Sequence, residues 1–261
     1  MADTHPQASP PASLKEKFSA ALSAFIGLHS KNPPVVGILA AGSAVTGVPD
    51  KNSDIDVHVV LDRSSTRERG TTWLHGVEVE YFINPVKQIR EYFSQEAAEG
   101  SFATARMFSS GRIVYQRKGA AGKQMALLVE EAKLIMRRKG PKPDAHDVEM
   151  MRYTLDDLRK DLEDVYLRRD AFAFSLIAGE LADASVSAFT RMRRKPAEKS
   201  KRLQEHLRRL DPEFERLLSE ALLEKSLDLR FQALMRLADY AERLLGGPRP
   251  KEWSLRTRCT C

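Results

Sequence analysis

The chain has 261 residues, of which 42% are hydrophobic and 30% are charged, and its formal net charge is +6. These values are typical of a soluble globular protein with one large domain or two modest ones. No run of about 18 apolar residues is present, so we expect no membrane-spanning segment. The mild basic excess suits anionic ligands, but no block of Lys and Arg is interleaved with aromatic residues, so we expect no nucleic-acid partner.

The two ends of the chain indicate little about its fold. Residues 1–12 are rich in Pro, Ala and Ser and lack the basic start and apolar run of a secretory signal, so we expect a disordered lead-in. The two cysteines, Cys259 and Cys261, belong to the expected C-terminal tail, residues 248–261. Because they are two residues apart near a chain end, they are poorly placed to cross-link the fold, and we expect a protein of the reducing cytoplasm.

The first part of the chain predicts both helices and strands. Residues 13–29 carry apolar side chains at helical spacing, and Ser13 is a suitable N-cap. Short apolar or alternating segments predict three strands, at residues 35–40, 54–61 and 77–83. Residues 86–99 are again helical in pattern, and residues 111–116 predict a short strand that closes this part.

The pattern changes after residue 119. Six later segments show helical periodicity, at residues 122–139, 146–168, 171–192, 197–208, 212–224 and 227–245. No further strand is indicated. We therefore predict an α+β architecture, in which an N-terminal domain with a small mixed sheet and helices, residues 13–119, precedes an all-α helical bundle, residues 120–247.

Two carboxylates open the second predicted strand, in the segment Asp54-Ile55-Asp56. Residues two apart in a strand point to the same face, so Asp54 and Asp56 should project side by side, with Ile55 buried behind them. Adjacent carboxylates repel each other unless a cation bridges them, and Mg²⁺ prefers such hard oxygen ligands. A third carboxylate on a neighbouring strand would let a second ion bind about 3.5–4 Å from the first.

A turn of small residues, Gly42 and Ser43, follows the first predicted strand. Without large side chains, the backbone amides and the Ser43 hydroxyl can approach phosphate groups closely. Residues 36–60, VGILAAGSAVTGVPDKNSDIDVHVV, resemble the nucleotidyltransferase superfamily that includes DNA polymerase beta. The signature is a hydrophobic strand, Gly-Ser, a spacer, and Asp-x-Asp between hydrophobic neighbours. In length and two-part layout the chain is most similar to the enzymes that adenylylate aminoglycosides or lincosamides.

The resemblance implies a role for each matching residue. Gly42 and Ser43 would bind the β- and γ-phosphates of ATP. Asp54 and Asp56 would act in catalysis as ligands of two Mg²⁺ ions. The motif-bearing similarity covers about residues 35–85, so the helical half is matched only loosely.

The third predicted strand offers two acids for the third ligand, Glu78 and Glu80, which share a face. We favour Glu80, because Pro85 follows it at the distance at which the strand ends in the polymerase-like pattern. Glu78 stays open as the alternative. His58 shares the face of the two aspartates, and we favour a supporting or solvent-facing position for it over a catalytic one.

The helical half should select the acceptor. Asp157, Asp161 and Asp164 lie at i, i+4 and i+7 on one predicted helix face, which suits a cationic acceptor or a base for its hydroxyl group. The alternative is a solvated face with basic neighbours. Lys199, in the first turn of a later helix, is a candidate contact for the triphosphate, and an ordinary surface lysine is the alternative.

We therefore predict a metal-dependent nucleotidyltransferase that transfers AMP from ATP to a hydroxyl group of a small, aminoglycoside-like acceptor, as in antibiotic resistance. One alternative keeps this chemistry but modifies a protein, as in a toxin–antitoxin system. Another is a non-catalytic relative that binds nucleotide or RNA, which should lack one or more of the carboxylates.

Overall fold

A computed structural model describes residues 13–46, 52–196 and 198–254. The chain divides into two compact units, which we call the sheet unit, ending at Arg138, and the helical unit, beginning at Lys139. The predictions for residues 1–12 and for the two cysteines fall outside the described residues.

The described part of the sheet unit contains five helices and five strands. In chain order these are α1 (Leu14–His29), β1 (Val35–Ala41), α2 (Ser43–Thr46), β2 (Ile55–Leu61), β3 (Glu68–Leu74), β4 (Val77–Pro85), α3 (Val86–Glu99), α4 (Ala103–Ser110), β5 (Arg112–Gln116) and α5 (Ala120–Arg137). The predicted N-cap of α1 is confirmed, since Ser13 and Glu16 form a reciprocal capping box.

The five strands form one mixed sheet in the order β3-β4-β2-β1-β5. Strands β2 and β4 are parallel, whereas the other neighbours are antiparallel. Strand β4 reaches this position because the chain first runs to the edge of the sheet as β3 and then folds back through a tight turn. The predicted small mixed sheet with flanking helices is confirmed.

Hydrophobic side chains cover both faces of the sheet. On one face, Val57 and Val59 of β2 pack in a core with Phe25 of α1. On the other face, Val60 of β2 packs in a core with Phe108 of α4. Burying one such side chain fully contributes roughly 1.5–3 kcal/mol, so the two cores hold β2 firmly between layers of helices.

Strand β3 is missing from the sequence-based prediction. Its residues are exposed or half-buried and include charged and small side chains, so they lack the apolar alternation that indicates a strand. The one sequence feature that indicates a turn here is Gly76. In the structure His75 and Gly76 form a two-residue turn in which both φ angles are positive, 51° and 74°. Such turns match the twist of a β-hairpin and indicate a strand on either side.

The domain boundary predicted at residue 119 differs from the division of the structure, which falls after Arg138. Helix α5 belongs to the sheet unit, because its side chains Met125, Leu128 and Ala132 are fully buried in the core against the sheet. Helical periodicity predicts the helix and its apolar face, but it does not show which partner covers that face.

The described part of the helical unit contains five helices. They are α6 (Ala145–Leu167), α7 (Ala171–Met192), α8 (Ser200–Leu210), α9 (Pro212–Leu223) and α10 (Leu227–Leu244). Four of them have a side-chain N-cap, from Asp144, Asp170, Asp211 and Ser226, and each cap contributes about 1 kcal/mol. The predicted all-α region is confirmed, although the predicted start of α8 at residue 197 lies outside the described residues.

Within the described residues, one helix, α7, is long and apolar enough to cross a membrane. Its buried residues include Phe174, Leu181 and Phe189, which belong to the core of the helical unit. The ring of Phe189 stacks on Phe214 of α9 with the ring centroids 4.1 Å apart. Packing within the unit therefore explains much of the apolar character of α7.

The C-terminal tail is attached to α6 as far as it is described. The indole N–H of Trp253 donates a hydrogen bond of 3.0 Å to Glu149, and its ring stacks on Tyr153. A tryptophan side chain suits this contact, because its ring buries apolar surface while its single N–H donor is satisfied by a hydrogen bond.

Candidate active site

The residues predicted to carry the chemistry in the sheet unit meet at one end of the sheet, where β1 ends and β2 begins. Because these strands are antiparallel, Ala41 pairs with Asp56, and Gly42 follows directly beside it. The hydroxyl of Ser43 donates a 2.9 Å hydrogen bond to the hydroxyl of Ser53 across the connecting loop. The small-residue turn and the Asp-x-Asp segment are therefore neighbours.

The parallel pairing of β2 and β4 brings a third acid to this end, since Asp56 pairs with Glu80. One carboxylate oxygen from each of Asp54, Asp56 and Glu80 lies within 4.8 Å of the other two. We call these three residues the carboxylate cluster; all three are half-buried. Glu78 is not part of the cluster found among the described residues.

The chemistry of the cluster fits a divalent cation. Three carboxylates at this spacing offer hard oxygen ligands of the kind that Mg²⁺ and Mn²⁺ prefer. Without a cation, their negative charges would repel one another. The residues Asp54, Asp56 and Glu80 could therefore hold one or two metal ions between them.

Gly42 is required at its position for two independent reasons. Its φ angle is 86°, in the left-handed region that residues with a side chain rarely adopt. A Cβ atom at this position would also lie only 2.9 Å from Oδ2 of Asp56. The absence of a side chain thus lets the Asp56 carboxylate lie against the turn.

Sequence reasoning missed one charged residue at this end of the sheet, Arg69 of β3. Its Nε and Nη2 atoms donate hydrogen bonds of 2.9 Å and 2.6 Å to Oε1 of Glu80. Its guanidinium carbon also lies 5.1 Å from the ring centroid of Phe82. No motif in the sequence marks Arg69, and only the pairing of β3 with β4 brings it to Glu80.

His58 is buried and only 3% exposed, so of the two positions expected for it the solvent-facing one is excluded. Its ring stacks on Phe82 and contacts Phe108, each with ring centroids 4.9 Å apart. Neither ring nitrogen has a hydrogen-bond partner among the described residues. Burial lowers the pKa of His58 from 6.5 to about 4, so the side chain is neutral at physiological pH.

The acids predicted to bind the acceptor lie in the helical unit. Asp157 and Asp161 are exposed on α6, and no ion pair to either is found within the described part of the chain. Two of the three basic neighbours expected on this face, which also include Arg168, bind elsewhere: Arg159 pairs with Asp239 and Glu242, and Lys160 pairs with Asp156. The role of the two aspartates in binding stays a prediction.

Lys199, the predicted triphosphate contact, also lies in the helical unit. It is exposed and occupies the N-cap position of α8, where its backbone N–H donates to Glu198. Its role likewise stays a prediction.

Comparison with known families identifies the part of the chain that contains this site. Residues 26–109 match the family model described as a nucleotidyltransferase domain. Over these residues the chain is similar to nucleotidyltransferase domains of the polymerase-beta-like superfamily. The matched segment includes Gly42, Ser43 and the whole carboxylate cluster, so the resemblance inferred from residues 36–60 is confirmed.

Among solved structures, the chain is similar to one described as a nucleotidyltransferase-like protein from Exiguobacterium sibiricum 255-15. The sequence identity is 14%, the alignment covers 88% of this chain and 77% of that chain, and the TM-score is 0.43. This similarity is too low to indicate a substrate. No curated protein matches the chain.

Proposed function

We propose that the protein transfers AMP from ATP to a hydroxyl group of a small acceptor, with two Mg²⁺ ions held at the carboxylate cluster. The observation that carries this proposal is the cluster itself, three carboxylates within 4.8 Å beside a small-residue turn, inside a nucleotidyltransferase domain. A non-catalytic relative should lack one or more of these acids, and all three are present.

In the proposed reaction, the acceptor oxygen forms a bond to the α-phosphorus. The bond from the α-phosphorus to the oxygen that bridges to the β-phosphate breaks, and pyrophosphate leaves. When bound, divalent ions offset the charge of the phosphates and lower the pKa of the attacking hydroxyl group. The proton of the attacking hydroxyl group passes to a general base.

The chain's own residues contribute mainly by positioning the reactants. Asp54, Asp56 and Glu80 hold the ions, and the Gly42-Ser43 turn orients the β- and γ-phosphates through its amides and hydroxyl group.

For the acceptor we propose a cationic amino sugar, in the manner of an antibiotic-modifying enzyme of the cytoplasm. The exposed carboxylates of Asp157 and Asp161, without ion pairs among the described residues, support this choice, since they are available to a cationic ligand.

The test is transfer of label from α-³²P-ATP, with Mg²⁺, to a panel of aminoglycosides, lincosamides and lysate proteins. We expect label on a small molecule, and at least a hundred-fold loss in Asp56→Ala, because that variant lacks a central ligand. The matched control is Asp62→Ala, which removes an exposed aspartate at the opposite end of β2 and should leave transfer unchanged.

Two results would contradict the proposal. Equal transfer by the Asp56→Ala variant would show that the cluster is not the catalytic site. Label found on protein rather than on any small molecule would favour the protein-modifying alternative.

A further inference from the structure

Arg69 is an exposed cation bonded to one of the proposed metal ligands. Its side chain is 71% exposed, whereas that of Glu80 is 26% exposed. Both of its hydrogen bonds go to the same oxygen of Glu80, and its guanidinium lies against the ring of Phe82. The planar guanidinium is therefore held on two sides, by a carboxylate and by an aromatic face.

The position of Arg69 has an electrostatic consequence for the cluster. Its positive charge neutralises part of the negative charge that three neighbouring carboxylates accumulate. A divalent ion on Glu80 would lie close to the same guanidinium, and these like charges repel. The charge of Arg69 therefore disfavours a metal ion beside Glu80.

We propose that Arg69 is an internal counter-cation, which lowers the affinity of the carboxylate cluster for free divalent ions until a nucleotide arrives with them. This inference rests on the proposed function. The triphosphate brings negative charge that offsets the repulsion between the guanidinium and the ions, so the cluster favours a metal–nucleotide complex over the metal alone.

A neighbouring arginine provides the matched control. Arg67 lies two residues earlier and donates a 2.8 Å hydrogen bond to the hydroxyl group of Tyr92 instead of to the cluster. Replacing Arg67 removes one positive charge from the same segment while leaving the bond to Glu80 in place. Any effect of net charge alone should appear equally in both variants.

The first experiment measures Mn²⁺ binding to the full chain by titration calorimetry, without nucleotide. We expect Arg69→Gln to lower the dissociation constant roughly five-fold, which corresponds to about 1 kcal/mol. Arg69→Lys keeps the charge and should bind within about two-fold of the wild type, as should Arg67→Gln. An Arg69→Gln variant that binds Mn²⁺ as weakly as the wild type, or more weakly, overturns the proposal.

The second experiment repeats the titration with a saturating, non-hydrolysable ATP analogue whose α–β bridge is a methylene group. We expect the difference between the wild type and Arg69→Gln to shrink to less than about two-fold, because the triphosphate now offsets the arginine charge. A difference that persists at five-fold overturns the inferred dependence on nucleotide.

The two proposals can fail separately. Normal transfer of label by the wild type, combined with unchanged Mn²⁺ affinity in Arg69→Gln, refutes the role of Arg69 alone. Absence of Mn²⁺ binding to the wild type, with and without the analogue, refutes both the role of Arg69 and the proposed function.

Discussion

The carboxylate of Asp56 lies so close to Gly42 that a single methyl group should displace it. A Cβ atom at position 42 would stand 2.9 Å from Oδ2 of Asp56. We therefore expect Gly42→Ala to reduce transfer of label at least ten-fold and to weaken Mn²⁺ binding. The strained φ angle should also lower the free energy of unfolding by about 1–2 kcal/mol.

The control for this prediction is Gly76→Ala, at the turn between β3 and β4. Gly76 also has a positive φ angle, 74°, but a Cβ atom there would meet nothing within 4 Å. Both variants should lose similar stability in urea unfolding, and only Gly42→Ala should lose transfer activity. Equal activity in the two variants would show that the contact with Asp56 is unimportant.

The lowered pKa of the buried His58 predicts that the stability of the protein depends on pH. The unfolded chain binds a proton at this residue below about pH 6.5, whereas the folded chain, with a pKa of about 4, does so only in stronger acid. The unfolded state therefore binds more protons between these values, and the free energy of unfolding falls as the pH is lowered. For this one group the loss reaches about 3 kcal/mol by pH 4.

The variant His58→Leu removes the titrating ring and keeps an apolar side chain between Phe82 and Phe108. Between pH 7.5 and pH 5, we expect the free energy of unfolding of this variant to fall by about 2 kcal/mol less than that of the wild type, as measured by urea unfolding at each pH. Identical acid sensitivity in the two proteins would mean that the ring of His58 is not the group responsible.

Among the elements of the fold, helix α5 allows a specific prediction about stability, because it packs within the sheet unit. Leu128 is fully buried in that unit, whereas its neighbour Leu127 is 50% exposed. We expect Leu128→Ala to lower the free energy of unfolding of the sheet unit by about 2–5 kcal/mol, and Leu127→Ala to change it by less than about 1 kcal/mol. Comparable losses from the two substitutions would contradict the packing of α5 against the sheet.

Some helices and strands of the fold could be predicted from sequence, and others could not. Helices α6, α7, α9 and α10 were recognisable because a one-sided apolar stripe is a local property, repeated over several turns. Strand β3 was not recognisable, because an edge strand with exposed residues has no apolar face to reveal it. Its partner β4 alternates clearly, since one of its faces lies in a core.

At the scale of the whole molecule, we propose that different residues bind the acceptor and ATP. The affinity for the acceptor and the affinity for ATP should therefore change separately. The double substitution Asp157→Asn and Asp161→Asn should raise the KM for a cationic aminoglycoside about ten-fold, through lost charge attraction, and leave the KM for ATP unchanged. The effect should diminish at high salt.

Glu163→Gln is the control for this prediction, because it removes another exposed acid of α6 that lies off the face shared by the two aspartates. It should leave both KM values within about two-fold of the wild type. An equal rise in the KM for the acceptor would mean that the overall charge of α6, rather than the pair of aspartates, attracts it.

The sequence by itself determined the parts of this protein that depend on residues close together in the chain. The Gly42-Ser43 turn, the pair Asp54 and Asp56, and the periodicity of the long helices are all local patterns, so the order of the amino acids is enough to recognise them. The similarity of residues 26–109 to nucleotidyltransferase domains followed from the same local motif.

Only the tertiary structure decided which distant groups meet. Strand register brings Glu80, rather than Glu78, to the two aspartates, and hairpin pairing brings Arg69 to Glu80. Packing, not periodicity, attached α5 to the sheet and buried His58 between two phenylalanines. The physical reason is that a side chain's charge, pKa and partner depend on its neighbours in space, which a local pattern does not specify.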